Sequence, residues 1–211
     1  MKRTKMLFAG AGFLGLFLLW TVLVSLVDIR PIGPNGSMVG FAALNGSVHD
    51  LTGVNLLLYT ITDWLGLVPI GVAFSFALLG LVQWIKRKSL LKVDKSLLAL
   101  GIFYIAVMAA YIFFEMVIIN YRPVLIGGYL EASYPSSTTM LVMCVMPTAM
   151  LQLRDRIKNR VFKRCALISI AAFTAFMVIG RLLSGVHWLT DILGGALLST
   201  GLVMIYASVH K

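Results

Sequence analysis

Arg181, His187 and Asp191 stand in an R-x5-H-x3-D pattern, Arg181-Leu-Leu-Ser-Gly-Val-His187-Trp-Leu-Thr-Asp191, where two hydrophobic segments meet. These residue types at this spacing suit phosphoryl transfer. His187 and Asp191 are four apart, so at the start of a helix they share a face and the carboxylate orients and polarises the imidazole. Arg181, across the Ser184-Gly185 break, folds back to clamp phosphate oxygens with its planar fork.

The elements that must hold these groups are membrane spans. In 211 residues, 60% are hydrophobic and 12% charged, and the mean hydropathy is +0.95. That composition describes an integral membrane protein. Hydrophobic runs at 7–27, 64–85, 97–119, 137–153, 165–182 and 189–208 predict an all-α, polytopic bundle of six transmembrane helices, with residues 1–211 as one domain. The first run is too long for a cleaved leader and reads as a retained anchor. Region 28–63 is a longer connection that begins with Pro31, Gly33, Pro34 and Gly36 and has room for a short interfacial helix.

A net charge of +10 raises the question of nucleic acid, but the charges flank the spans. The blocks Lys2-Arg3-Lys5, Lys86-Arg87-Lys88 with Lys92 and Lys95, and Arg154 to Arg164 all fall on one side of a six-span chain. All but Arg30, Arg122 and Arg181 of the 18 Lys and Arg lie there. By the positive-inside rule both termini are cytoplasmic and the partner is the bilayer of the cell membrane, with no nucleic acid. Cys144 and Cys165 lie in or beside apolar runs and read as small buried apolar residues, with neither a disulfide nor a metal pair expected.

Arginines that break the charge bias are retained for a local reason, and two of the three sit in motifs. Glu115-x6-Arg122-Pro123 ends the third span, Pro135-Ser136-Ser137-Thr138 opens the fourth, and Gly180-Arg181-x5-His187-x3-Asp191 joins the fifth and sixth. All three face the compartment opposite the termini. In order and spacing they resemble the type 2 phosphatidic acid phosphatase family, whose pattern is K-x6-R-P, P-S-G-H and S-R-x5-H-x3-D on six spans.

The resemblance implies a metal-free and cofactor-free lipid phosphatase working in two displacements. His187 would be the nucleophile that carries a phosphohistidine, and Asp191 its orienter. Arg122 and Arg181 would neutralise the phosphoryl oxygens, with Ser136, Ser137 and Thr138 completing the phosphate site at a helix N-terminus. Elementary chemistry supports these roles. A His–Asp couple supplies a neutral nucleophilic nitrogen near neutral pH, arginines stabilise transition-state charge, and a helix N-terminus presents N–H donors to an anion.

Three departures bear on substrate. Glu115 stands where the family has lysine, Ser137-Thr138 replaces Gly-His, and Gly180 replaces serine. Thr138 takes the position of the histidine that protonates the leaving oxygen, and a hydroxyl is too weak an acid for that task. An alkoxide leaving group has a conjugate acid near the pKa of water, about 15.7, and needs such an acid. A phosphate leaving group, with a pKa of about 6, does not. The expected substrate is a lipid phosphate or diphosphate, with a diphosphate such as a polyprenyl diphosphate favoured over a monoester.

His49, with Asp50, is a candidate substitute acid in the first connection, and Glu131 is a further one. Glu115, two turns before Arg122, faces the same way, although its negative charge opposes phosphate. Each has a plain alternative. Arg122 can anchor at headgroups, Ser136 and Thr138 can cap a helix, His49 can be a solvated loop residue, and Tyr134 and Trp188 read as anchors at the outer interface. Hydrolysis, phosphotransfer through the same histidine, and binding of a phosphorylated lipid without chemistry all stay open. A transporter is disfavoured by the lack of charge near the midplane of the spans.

Overall fold

A long apolar run in lipid has one local way to satisfy its backbone N–H and C=O groups, and that is to coil. The computed structural model describes residues 3–210, and among them are eight α-helices. Six are long: α1 (Arg3–Leu26), α4 (Leu67–Arg87), α5 (Lys95–Met116), α6 (Ser137–Arg156), α7 (Arg160–Leu183) and α8 (Leu189–Val209). Two short ones, α2 (Ala42–Thr52) and α3 (Leu56–Leu65), fold in the connection between α1 and α4. The chain is a multi-pass all-α membrane protein, and each predicted span coincides with one long helix. Lys2, part of the first basic block, lies outside the described residues.

The boundaries differ where caps act. The fifth predicted run begins at residue 165, but α7 starts at Arg160 because the Asn159 side chain accepts the Phe162 N–H at 3.0 Å. The connection 28–63 holds two short helices where one was expected. Only Gly66 separates α3 from α4, and Leu56–Arg87 is one apolar stretch of 32 residues. At 1.5 Å per residue that exceeds a hydrocarbon core of about 30 Å, so α3 extends past it.

Among the described residues, five helical stretches are long and apolar enough to cross a membrane, and α6 is the long helix that falls short. It carries Thr139, Thr148 and Gln152, all buried, and Pro147 in its interior. It sits centrally between α4, α7 and α8, so its polar side chains meet protein and not lipid. Leu, Phe and Trp side chains of α1, α4, α5 and α7 remain exposed, as a lipid-facing surface requires.

Helices in lipid associate by close packing, and α1 against α8 is the tightest pair in this bundle. A methyl group on Gly10 would come within 2.9 Å of the Gly201 carbonyl, so the two backbones touch there. At the end of the bundle away from the three motifs, Asp94 accepts from Gln83 (2.8 Å), Arg87 (3.1 Å) and Arg156 (3.3 Å), tying α4 and α6 to the start of α5. The Gln83 amide is the main cause of the lowered Asp94 pKa. Cys144 and Cys165 are both free, and only Cys144 is buried as expected, since Cys165 lies exposed on α7.

Candidate active site

The segment between α5 and α6 folds back on itself. Tyr121 and Ala132 form an antiparallel bridge, the Arg122 N–H donates to the Glu131 carbonyl at 3.0 Å, and the Ser133 N–H donates to the Asn120 carbonyl at 2.9 Å. This sets Arg122 and Ser133 over the start of α8. The connection from α7 to α8 reaches the same place through Gly185. Its φ of +67° and a Cβ that would lie 1.9 Å from the Gly53 carbonyl leave room for no side chain.

Asp191 is wholly buried in the first turn of α8. Its Oδ2 accepts the Trp188 N–H at 2.9 Å and the Ser133 hydroxyl, and its Oδ1 accepts from Asn120 Nδ2 at 3.3 Å. The ring of His187 lies just before the helix, with Nδ1 3.8 Å from Asp191 Oδ2 and 3.2 Å from Ser133 Oγ. The expected direct His–Asp contact is therefore a relay. Asp191 is held at the helix terminus by the Trp188 amide, and Ser133 fills the gap. With its proton given to Asp191, the Ser133 oxygen accepts Nδ1–H of His187, which leaves Nε2 unprotonated.

That Nε2 atom is buried and has no hydrogen-bond partner. Burial pushes the His187 pKa down to about 4, with the nearby Arg122 and Arg181 adding to the effect and Asp191 opposing it. The imidazole is neutral at physiological pH with a lone pair directed at no protein group. This is the state a nucleophile requires.

The two arginines converge on one aromatic ring. The guanidinium carbons of Arg181 and Arg122 lie 4.9 and 5.9 Å from the centre of Tyr59, on α3. Arg181 donates to Thr138 Oγ1 at 2.7 Å and to Asp63 Oδ1 at 3.1 Å. Glu131 stands 3.1 Å from Arg122 Nε, close enough for ion pairing but off the N–H direction. Arg122 Nε and Nη1 and Arg181 Nε are buried without a hydrogen-bond acceptor. A buried N–H left in that state costs about 1–3 kcal/mol, and an anion bound between the two forks would supply the acceptors.

Several expected residues fall elsewhere. Ser136 is wholly buried and caps α6, its hydroxyl accepting from the Thr139 N–H at 3.4 Å. Ser137 and Thr138 are partly exposed on the side of Asp63. Glu115 does not pair with Arg122. It lines a crevice with Ser133, Tyr134 and Ser137. His49 packs its ring 5.4 Å from that of Trp188. Its Nδ1 is buried without a hydrogen-bond partner, and burial lowers its pKa against the pull of Asp50.

Tyr134 and Trp188 are not interfacial anchors. Tyr134 is buried, stacks on Phe17 and shares a 2.7 Å hydrogen bond with Thr21, while Trp188 is buried with its N–H on the Tyr121 carbonyl at 2.8 Å. Four residues that no motif marked, Ser133, Asn120, Tyr59 and Asp63, make direct contacts in the site. An apolar groove of about 400 Å³ between α4, α5 and α6 leads to it, with Ile70, Val107, Met108 and Leu141 along its walls and Thr138 and Asp63 at its polar end.

No curated protein matches the chain. The fold is similar to that of a solved structure described as the first transmembrane PAP2 type phosphatidylglycerolphosphate phosphatase from Bacillus subtilis, at 20% identity and a TM-score of 0.56, over 94% of this chain and 93% of that one. Residues 115–211, the part that carries all three motifs, match the family described as the PAP2 superfamily. The three motifs, and His187 with its partners Ser133 and Asp191, thus lie in the part of the chain that matches the PAP2 superfamily.

Proposed function

We propose that the protein is a membrane lipid phosphatase that works through a phosphohistidine on His187 and favours a lipid diphosphate, such as a polyprenyl diphosphate. The observation that carries this reading is the state of His187. Its Nδ1 is held by Ser133 and Asp191, and its Nε2 is buried, neutral and without a partner. The arginine pair beside it supplies positive charge for the phosphoryl oxygens.

In the first displacement Nε2 attacks the terminal phosphorus, and the bond to the bridging oxygen breaks as the lipid monophosphate departs. In the second, water attacks the phosphohistidine and frees the imidazole. The imidazolium character that develops is stabilised through Ser133 by Asp191. The lipid tail lies in the groove between α4, α5 and α6, so the headgroup enters sideways from the bilayer. The preference for diphosphate follows from Thr138, which donates a hydrogen bond at most where a monoester would need an acid.

The charge distribution supports cytoplasmic termini and a site on the outer face of the cell membrane. The test is phosphate release in detergent from a matched lipid diphosphate and monophosphate, with unmodified protein and His187→Ala. Release that vanishes in the variant and is faster from the diphosphate is the expected result. Equal or faster turnover of the monophosphate defeats the substrate preference. Binding without release, weakened by Arg181→Ala, replaces the reaction with a lipid-binding role.

A further inference from the structure

Asp63 shares a guanidinium nitrogen with Thr138. Arg181 Nη2 donates to both, at 3.1 and 2.7 Å, so a carboxylate stands beside the position that lacks its acid–base side chain. Tyr59 and Asp63 are four residues apart on α3 and present one face to the site. Asp63 also lines the polar end of the apolar groove.

These placements fix the direction of the reaction. A lipid with its tail in the groove and its terminal phosphate between the arginines and His187 has the bridging oxygen at the Asp63–Thr138 end. In-line displacement puts the leaving oxygen opposite the attacking nitrogen. After the lipid departs, water must approach the phosphohistidine from that same end. Of the other carboxylates near the site, both oxygens of Asp191 accept hydrogen bonds, Glu131 faces Arg122, and Glu115 lines a crevice with Ser133 and Tyr134 and is absent from the walls of the groove.

Building on the phosphohistidine reading, we infer that Asp63 is the general base of the second displacement. The oxygen of water bonds to phosphorus as the P–Nε2 bond breaks, and that electron pair returns to the imidazole. The Asp63 carboxylate takes the proton and passes it to solvent, to which its side chain is 57% exposed. In the first displacement the departing lipid phosphate needs no proton, so one carboxylate serves the cycle without a partner acid.

The test follows the full-length protein in detergent with a lipid diphosphate labelled at its terminal phosphorus, quenched over time, for the unmodified chain, Asp63→Asn and Asp63→Glu. Asp63→Asn should form labelled His187 within about threefold of the unmodified rate and lose the label about 100-fold more slowly, so that label accumulates. Asp63→Glu should recover part of the loss. Normal turnover in Asp63→Asn overturns the inference. So does equal slowing of both steps, which would mean that Asp63 only holds Arg181. Phosphate release with no label on His187 in any of the three proteins overturns the phosphohistidine reading, and the inference with it.

Discussion

The ring of Tyr59 lies under the guanidinium of Arg181, 4.9 Å from centre to carbon, and joins the first connection of the chain to the third motif. Arg122 flanks the same ring at 5.9 Å. A cation over an aromatic face gains about 0.5–2 kcal/mol, more as water is excluded. Tyr59→Ala should raise the KM for lipid diphosphate about 2- to 30-fold, the range that this energy implies. Tyr59→Phe should leave it nearly unchanged, because the ring and not the hydroxyl carries the contact. Steady-state kinetics on the two variants decide between ring and hydroxyl.

Ser133 is the link between imidazole and carboxylate. Ser133→Ala leaves Nδ1 of His187 facing Asp191 across 3.8 Å, too far for a good hydrogen bond. Turnover should drop about 10- to 100-fold with little change in KM. Asp191→Asn should cost more, about 100-fold or above, since it removes the charge that favours the developing imidazolium. A Ser133→Ala enzyme with unchanged turnover would show that Asp191 acts alone.

Neutral His187 has a signature in titration. Its pKa of about 4 lies below the unfolded value of about 6.5. Nitrogen NMR of labelled protein in detergent should show the ring of His187 neutral, with its proton on Nδ1, from pH 8 to pH 5.5. The linkage has a definite sign. Below pH 6.5 the unfolded chain takes up a proton that the folded chain refuses, so stability falls as the pH drops toward 4, by up to about 3 kcal/mol. A His187 ring that titrates near 6.5 would contradict its burial.

Position 138 offers a gain-of-function test. Thr138→His places an imidazole beside Arg181 at the polar end of the groove. Turnover of a lipid monophosphate should rise relative to the diphosphate by about tenfold or more. An unchanged ratio would separate substrate preference from the identity of residue 138.

The Gly185 turn sets the reach of the loop that carries His187. Gly185→Ala meets the Gly53 carbonyl and an unfavourable φ at once, and should lower both thermal stability in detergent and turnover. Unchanged melting and activity would mean that the two loops separate freely.

Sequence showed Arg122, Arg181, His187 and Asp191 because polar residues are few in an apolar chain and stand out on the face with little charge. Helix spans were readable for the same reason. Ser133, Asn120, Tyr59 and Asp63 were not, since serine, asparagine, tyrosine and aspartate are ordinary residues of connections. Each is defined by contacts with residues 54 to 122 positions away in the chain. Tyr134 and Trp188 misled because aromatic rings at span ends fit an interface and a folded connection equally well. Only the packing of Phe17, Thr21 and Tyr121 around them distinguishes the two. Ser136 shows the same limit, as a hydroxyl at a helix start both caps and binds anions, and burial assigns it to the cap.

The polar character of α6 sets the order in which the bundle is assembled in a membrane. A segment with Thr148, Gln152 and Pro147 inside it gains too little from lipid to partition by itself, and its buried polar groups find partners on α5 and α8: Tyr104 for Thr148, and Tyr206 for Gln152. Insertion of this helix is therefore collective. A nascent chain that stops after α6 should leave it outside the hydrocarbon, accessible to a water-soluble thiol probe at an introduced cysteine. A chain that runs through α8 should draw it in, so the motif that opens α6 reaches its place only when the segment bearing His187 arrives.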